Sequence, residues 1–207
     1  MSTASLPAFV PKIKQIAIQI VIGLALLCAG VVCALAQNGH SHMPAMQQQQ
    51  TQEQKNQASA LLQIVRDSTE RFKDVSVAEA EGYALQFGCV SGPDSGAMGL
   101  HYVNGALVSR GELDPTHPQI VIYEPTANGG LKLTGADFLL FADVWDKKNQ
   151  GPPQLMGQLF HYWESPNRFG LPAFYTLHVW AWKDNPNGAF VNWHPNVSCQ
   201  QFGGQAQ

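Results

Sequence analysis

The stretch that most constrains the fold is residues 174–182, a mostly apolar run rich in aromatic and β-branched side chains that predicts a β-strand. Both of its faces are largely apolar, which predicts a central strand covered on both sides. An unpartnered imidazole in such a layer costs about 1–3 kcal/mol, so His178 needs a hydrogen-bond partner or a metal ion. Because side chains alternate between the faces of a strand, one face is expected to carry Phe174, Thr176, His178, Trp180 and Trp182.

The remaining pattern predicts an α+β fold. An amphipathic repeat from Ala58 to Phe72 predicts a helix, and a capping box that begins at Ser76 predicts a second, shorter helix that stops at Gly82. Asn104-Gly105 between apolar runs predicts a hairpin. Short strands separated by glycine turns favour antiparallel pairing. We therefore expect N-terminal helices packed on a curved antiparallel β-sheet of about five to seven strands, within a single domain at 57–207.

Residues 1–36 have the order of a secretory signal peptide. Lys12 and Lys14 precede an apolar run at 16–32, and the small residues of Ala34-Leu35-Ala36 form a cleavage site. The apolar run is also nearly long enough for an uncleaved membrane anchor, but the cleavage site favours the signal peptide. The rest of the chain is thus predicted to be exported, periplasmic or secreted, with no stable membrane association after cleavage.

Charge and cysteine content fit export. The chain has 12 basic and 15 acidic residues, and two of the lysines lie in residues 1–36, so cleavage would leave a net charge of −5. An acidic chain is a poor partner for nucleic acid. Of the four cysteines, Cys89 and Cys199 remain after cleavage. An isolated pair in an oxidising compartment predicts a disulfide bond.

Residues 37–56 predict a disordered leader, because this His-, Met- and Gln-rich segment has little to bury. Imidazoles and thioethers suit copper, so the leader could capture a metal ion. The alternative is a solvated linker whose histidines have no function. The candidate ligands of the leader are His40, His42, Met43 and Met46.

A second metal site is predicted inside the domain. His101, His161 and His178 lie in or beside apolar strands or aromatic clusters, and Glu124 ends another strand. If these strand ends meet, the four side chains could bind zinc, copper or iron. An open coordination position would suit a metal-dependent hydrolase or oxygenase. No H-E-x-x-H, C-x-x-C or His-x-His motif inside the domain fixes the site locally. Each histidine taken alone is therefore better explained as a core imidazole hydrogen-bonded to a backbone carbonyl or a carboxylate.

A third interpretation is a non-enzymatic module that binds a small molecule or carbohydrate in an aromatic groove. The sequence contains no G-x-G-x-x-G dinucleotide motif, no G-K-[ST] phosphate loop and no G-x-S-x-G nucleophile motif. It therefore assigns no catalytic residue and no organic cofactor. The aromatic side chains that could line such a groove are Tyr162, Trp163, Trp180, Trp182 and Trp193.

Several short motifs spread over residues 69–199 form a distinctive pattern. The main ones are Gly96-Ala97-Met98-Gly99-x-His101-Tyr102-Val103-Asn104, Tyr123-Glu124-Pro125, Phe160-His161, and Leu177-His178-Val179-Trp180-x-Trp182 followed by Asn185-Pro186-x-Gly188. In these motifs the chain resembles a group of small exported bacterial proteins of unknown function. The resemblance implies export and one shared domain, and it implies no reaction.

Overall fold

The computed structural model of the protein describes residues 50–204. The predicted signal peptide and the four candidate ligands of the leader lie outside the described residues. Within them the predicted α+β class is confirmed: helices near the start of the described chain pack on a curled antiparallel sheet of six strands. A separate two-stranded sheet joins β5 (Gln154–Leu155) to β6 (Gln158–Leu159).

The first helix, α1, spans Gln52–Thr69 and begins earlier than the sequence suggests. The Thr51 side chain accepts a hydrogen bond from the backbone N–H of Gln54, and the Gln54 side chain accepts one from the backbone N–H of Thr51. This capping box starts the helix inside the segment predicted to be disordered up to 56. The buried side chains of α1 include Leu61 and Val65, as its amphipathic pattern predicts.

A short 3₁₀ helix at Glu70–Lys73 connects α1 to α2, which spans Val75–Ala80. The cap of α2 is Asp74, whose carboxylate accepts from the backbone N–H of Ser76 at 3.0 Å. The predicted capping box at Ser76 is therefore wrong by two residues, because aspartate is at least as good an N-cap as serine and comes first in the chain.

The six strands follow one another in the spatial order β1-β2-β3-β4-β8-β7, and every neighbouring pair is antiparallel. This agrees with the predicted pairing and strand number. The strands are β1 Tyr83–Gly92, β2 Gly96–Asn104, β3 Ile120–Pro125, β4 Leu131–Phe141, β7 His161–Trp163 and β8 Phe174–Val179.

The predicted hairpin at Asn104-Gly105 is wrong, because a helix begins there. The side chain of Asn104 accepts hydrogen bonds from the backbone N–H groups of Ala106 and Leu107, both at 3.1 Å, and so caps α3, Gly105–Arg110. Asparagine suits a helix N-cap as well as a tight turn, so the dipeptide alone does not distinguish the two. A fourth helix, α4, spans Ala142–Trp145.

The strand predicted at 174–182 is regular only over Phe174–Val179 and lies next to the edge strand β7, not at the sheet centre. It is covered on both faces as predicted, since Leu177 and His178 are both buried. Beyond Val179 the alternation fails. The indole N–H of Trp182 donates to Thr69 at the end of α1, at 3.0 Å, so Trp182 lies on the helix side and not beside His178.

The two faces of the sheet have different coverings. On one face Leu61 and Val65 of α1 pack against Phe138, Leu177 and other apolar side chains. The other face has no long helix over it within residues 50–204 and is covered by Trp163, Phe169 and Leu171. We call this second side the helix-free face, because α1 does not reach it and the short helix α3 contributes only Val108 to its apolar cluster. Its buried apolar side chains are Ile120, Ile122, Leu139 and Phe174.

A glycine permits close packing within the curled sheet. The register between β3 and β4 shifts after Ile122, which pairs with Gly135, and such irregularities bend a sheet. A Cβ atom at Gly135 would lie 2.3 Å from the carbonyl oxygen of Val179, a backbone atom that cannot rotate away. The approach of β8 to β4 at this point therefore requires glycine.

Gly135→Ala is expected to lower the free energy of unfolding by about 1–3 kcal/mol, because the added methyl group overpacks a rigid backbone contact. Denaturant titration measures the loss. Gly105→Ala is the matched control, since nothing lies within 4 Å of its added Cβ. Equal stabilities of the two variants would contradict this view of the bend.

The predicted disulfide is confirmed. Cys89 in β1 is bonded to Cys199 near the end of the described chain, with their Cα atoms 5.7 Å apart and a sequence separation of 110. The bond therefore fixes the C-terminal segment to the first strand. Among the helices of residues 50–204, none combines the length and apolar character that crossing a membrane requires.

Candidate metal site

Three strands contribute one possible metal ligand each to the helix-free face. His101 comes from β2, Asp137 from β4 and His178 from β8, and the last two are direct cross-strand partners. β2 and β8 are separated by β3 and β4, so in a flat sheet they would lie about 14 Å apart, three strand spacings. Nε2 of His101 nevertheless lies 3.4 Å from Nε2 of His178. The curl of the sheet brings the two imidazoles together.

All three side chains are buried, with exposed fractions of 6% for His101 and 2% each for Asp137 and His178. One ligand atom from each lies within 4.8 Å of the other two. Two imidazole nitrogens and a carboxylate oxygen form a donor set that binds zinc or iron in proteins. This buried group could therefore hold a metal ion.

The hydrogen bonds of His101 prepare it as a ligand. Its Nδ1 lies 3.1 Å from the carbonyl oxygen of Gly99 and can interact with it only as a donor. In the neutral ring this leaves the Nε2 lone pair directed at His178. A backbone carbonyl that accepts from the second ring nitrogen is the usual support of a metal-binding histidine.

His178 cannot satisfy both of its ring nitrogens while it is neutral. If Nε2 carries the proton, it donates to His101, and the Nδ1 lone pair then faces the carboxylate of Asp137 at 3.6 Å. If Nδ1 carries the proton, two Nε2 lone pairs face each other at 3.4 Å. Within residues 50–204, Nδ1 of His178 and Oδ1 of Asn192 are the buried side-chain atoms without a hydrogen-bond partner at normal distance. The nearby Asn192 favours the protonated form of His178, since its interaction raises the pKa of that imidazole against the larger effect of burial. A cation between the two rings would remove this conflict.

Asp137 supplies the negative charge of the site. The hydroxyl of Thr176 donates to its carboxylate at 2.5 Å, which fixes its orientation. Burial raises the pKa of Asp137 to about 6, against the opposing effect of that hydrogen bond. The carboxyl group is thus largely ionised at neutral pH, in a place where an uncompensated charge is costly.

The two histidines remain neutral, as metal ligands must. Burial, with a smaller contribution from the neighbouring imidazole of His178, lowers the pKa of His101 to about 4. Burial, followed by the charge of His161, lowers the pKa of His178 to about 3. At pH 7 the group therefore consists of two neutral imidazoles and one carboxylate, the protonation state that binds a divalent cation.

The other two predicted ligands lie outside this group. Both oxygens of Glu124 have partners, the ammonium of Lys183 at 2.6 Å and the backbone N–H of Ser198 at 3.2 Å. His161 is exposed on the edge strand, and its Nε2 lies 3.2 Å from the carbonyl oxygen of Phe190. The structure thus joins His101 and His178 but gives Glu124 and His161 other contacts.

Asp137 is the ligand that sequence reasoning missed. It lies in the otherwise apolar end of β4, where Phe138, Leu139 and Leu140 follow it. Strand alternation assigns Asp137 to a buried face, where a carboxylate is rare unless it has a partner. The same reasoning identifies His178 as a candidate ligand. The apolar run after Asp137 indicates a strand that begins at this residue, and a charged side chain at the start of a strand is unremarkable.

A small cavity of about 30 Å³ lies beside the three polar side chains. A volume of this size accepts one or two water molecules, or an ion with a small ligand. Its walls are mainly apolar, with Trp163, Phe169 and Phe174 among the lining residues. A metal ion bound here would have a small, mainly apolar space on one side.

The five aromatic side chains predicted to line a groove are not gathered into one, although Tyr162 and Trp163 line the same open pocket. Trp182 bonds to Thr69 on the helix side, whereas Trp163 stacks on Phe174 on the helix-free face. Trp180 is almost fully buried, and its indole N–H donates to the carbonyl oxygen of Val191 at 2.6 Å. Tyr162 is exposed, at 57%.

No protein-family model, no curated protein and no solved structure matches the chain. The interpretation of the site therefore depends on its own geometry.

Proposed function

We propose that this protein is an exported metal-binding protein in which His101, Asp137 and His178 hold one transition metal ion. The observation that carries the proposal is the pair of facing Nε2 atoms, 3.4 Å apart, beside a buried carboxylate. Neutral imidazoles with opposed lone pairs repel each other, and a buried carboxylate without a cation is costly. A bound cation relieves both effects.

The spacing of the donors fits a metal ion without large movement. Metal–nitrogen bonds of 2.0–2.1 Å with a tetrahedral angle between them put two nitrogens about 3.3–3.4 Å apart. The two Nε2 atoms lie at that separation. Two imidazoles and one carboxylate suit zinc or iron(II) and are less typical of copper, which more often has sulfur ligands or additional imidazoles.

Three protein ligands leave at least one coordination position open. Closed structural sites usually have four protein ligands, whereas catalytic sites retain a position for water or substrate. The adjacent cavity of about 30 Å³ favours the open form. A metal-dependent hydrolase or oxygenase is therefore the second candidate function, in which the metal would supply Lewis-acid or redox chemistry.

Three features support export. Residues 1–36 have the pattern of a signal peptide, and the resemblance to small exported bacterial proteins points to the same compartment. The Cys89–Cys199 disulfide is typical of proteins outside the reducing cytosol. We propose that the chain acts in the periplasm or outside the cell.

Protein purified without an affinity tag is expected to contain about one equivalent of a transition metal, and His178→Ala is expected to lose it, because two ligands seldom retain a metal ion. Elemental analysis of both proteins measures the content, and circular dichroism checks that the variant is folded. The matched control is His117→Ala, which removes an exposed imidazole that pairs with Asp114 at 2.8 Å.

The outcome that contradicts the site is an unchanged metal content in a folded His178→Ala protein. Deletion of residues 37–49 removes the histidines and methionines of the leader without cutting α1, which begins at Gln52. If only this deletion abolishes binding, the metal belongs to the leader and the proposed site is wrong.

A further inference from the structure

A larger pocket of about 320 Å³ opens on the helix-free face next to the candidate metal site. This size lies at the lower end of the range for small-molecule sites in proteins. Among the described residues, none of those that line it is charged, and its two polar side chains, Gln86 and Ser109, are exposed. Its apolar walls come from Val103, Val108, Ile120, Leu139, Phe141 and Leu171.

The pocket and the cavity beside the metal ligands share walls. Phe87, Ile120, Leu139 and Leu171 line both spaces. The cavity also touches His101, Asp137 and His178, whereas the larger pocket touches none of them. An occupant of the pocket would therefore be separated from the metal ligands only by one layer of apolar side chains.

Phe87 stands at this boundary in an unusual conformation. Its φ is 64°, at an irregularity of β1 between Gln86 and Cys89 where the pairing with β2 shifts. A bulky residue at positive φ is a backbone outlier that costs about 1–3 kcal/mol and persists only where the surroundings hold it. The ring of Phe87 packs edge-on against Phe169, with centroids 5.4 Å apart. The bulge thus holds an aromatic ring between the two spaces.

We propose that this pocket binds a neutral, apolar small molecule of about one ring and holds it one layer of apolar side chains away from the metal ligands. The second part rests on the proposed function, whereas the first part does not. The ligand class follows from the walls: an apolar lining stabilises buried apolar surface and gives no partner to a buried charge. Because Gln86 and Ser109 are exposed at the mouth of the pocket, the ligand could carry one polar group at the end that remains in solvent.

A matched pair of probes tests the ligand class. tert-Butylbenzene and trimethylphenylammonium have the same shape, and only the second carries a charge. tert-Butylbenzene is expected to bind the folded protein, with or without zinc, at least about tenfold more tightly than its charged isostere, because the pocket cannot compensate the charge. Ligand-observed NMR titration measures both affinities.

The Val108→Phe variant tests whether the probe binds in the larger pocket. Val108 is half-buried on α3 and lines the larger pocket but not the cavity, so the bulkier ring should fill the pocket without touching the metal ligands. The variant is expected to bind tert-butylbenzene about tenfold more weakly and to keep its metal content. Equal binding of the two isosteres, no binding of either, or unchanged binding by a folded Val108→Phe protein would overturn the pocket.

A separate measurement tests whether the bound molecule lies near the metal. When zinc is replaced by manganese(II), the relaxation of the bound tert-butylbenzene protons is expected to accelerate severalfold, because the probe lies beside the paramagnetic ion. Binding without this acceleration in manganese-loaded protein would overturn the placement of the ligand near the metal but would not overturn the pocket. A protein that binds tert-butylbenzene but no metal would instead overturn the proposed function.

Discussion

Replacing both Cys89 and Cys199 by serine is expected to lower the free energy of unfolding by about 4–5 kcal/mol. The bond closes a loop with a sequence separation of 110, and loop-closure entropy of this length corresponds to nearly 5 kcal/mol at 25 °C. The loss is a large part of the total stability of a small domain, typically about 5–15 kcal/mol. Without the bond, the C-terminal segment is held to β1 and β2 only by packing and a few hydrogen bonds.

Guanidinium titration of a chain that begins at Gln37 measures this effect. Cys28 and Cys33 lie before that residue, so they cannot form alternative disulfides. The reduced wild-type protein should match the double variant, and a reductant should leave the variant unchanged. If the free energy of unfolding falls by less than about 1 kcal/mol, the loop-closure account is contradicted, because the bond would then restrict the denatured chain very little.

Asp137→Asn is expected to change stability and metal binding in opposite directions. In metal-free protein near pH 7 it should raise the free energy of unfolding by about 2–3 kcal/mol, because a buried carboxylate is replaced by a neutral amide that can still accept from Thr176. It should also weaken metal binding by at least about 100-fold, since it removes the charged ligand. Denaturation with a chelator and metal titration measure the two effects.

The pH dependence of this stabilisation has a definite sign. The pKa of Asp137 is raised to about 6 in the folded protein, so its protonated form stabilises the fold below about pH 4, and this contribution is lost as the pH rises through 6. The stability difference between Asp137→Asn and wild type should therefore be near zero at pH 4 and complete above pH 7. A difference that does not vary with pH would contradict the buried carboxylate.

Asp143→Asn is the matched control for Asp137→Asn. Asp143 is 66% exposed and pairs with Lys147 at 3.5 Å, so the same chemical change should leave the free energy of unfolding nearly constant. Metal affinity should also remain unchanged in this variant. An equal response of the two variants would show that the effect does not come from the site.

Two of the three candidate ligands could be predicted from local sequence. His101 and His178 each stand within an apolar strand pattern, and an imidazole in such a place needs a partner. Their meeting could not be predicted, because it depends on the curl that carries β2 toward β8 across two intervening strands. Glu124 has the chemistry of a metal ligand, but its two carboxylate oxygens already accept hydrogen bonds from Lys183 and Ser198.

The fold class followed from periodicity, and the local errors came from residues that suit two structures. Asn104 is acceptable in a turn and at a helix N-cap, and tertiary packing selected the cap. Strand alternation placed Trp182 beside His178, but the strand ends at Val179 and the chain then turns toward α1. Local pattern does not specify where a strand stops when its flanking residues are also apolar.

Anomalous diffraction from a crystal of zinc-loaded protein tests the central claim most directly, because it locates the ion among the side chains. One strong peak is expected within about 2.0–2.2 Å of Nε2 of His101, a ring nitrogen of His178 and a carboxylate oxygen of Asp137. A metal-loaded crystal with no peak between the two imidazoles, or with its peak only at other residues, would contradict the account.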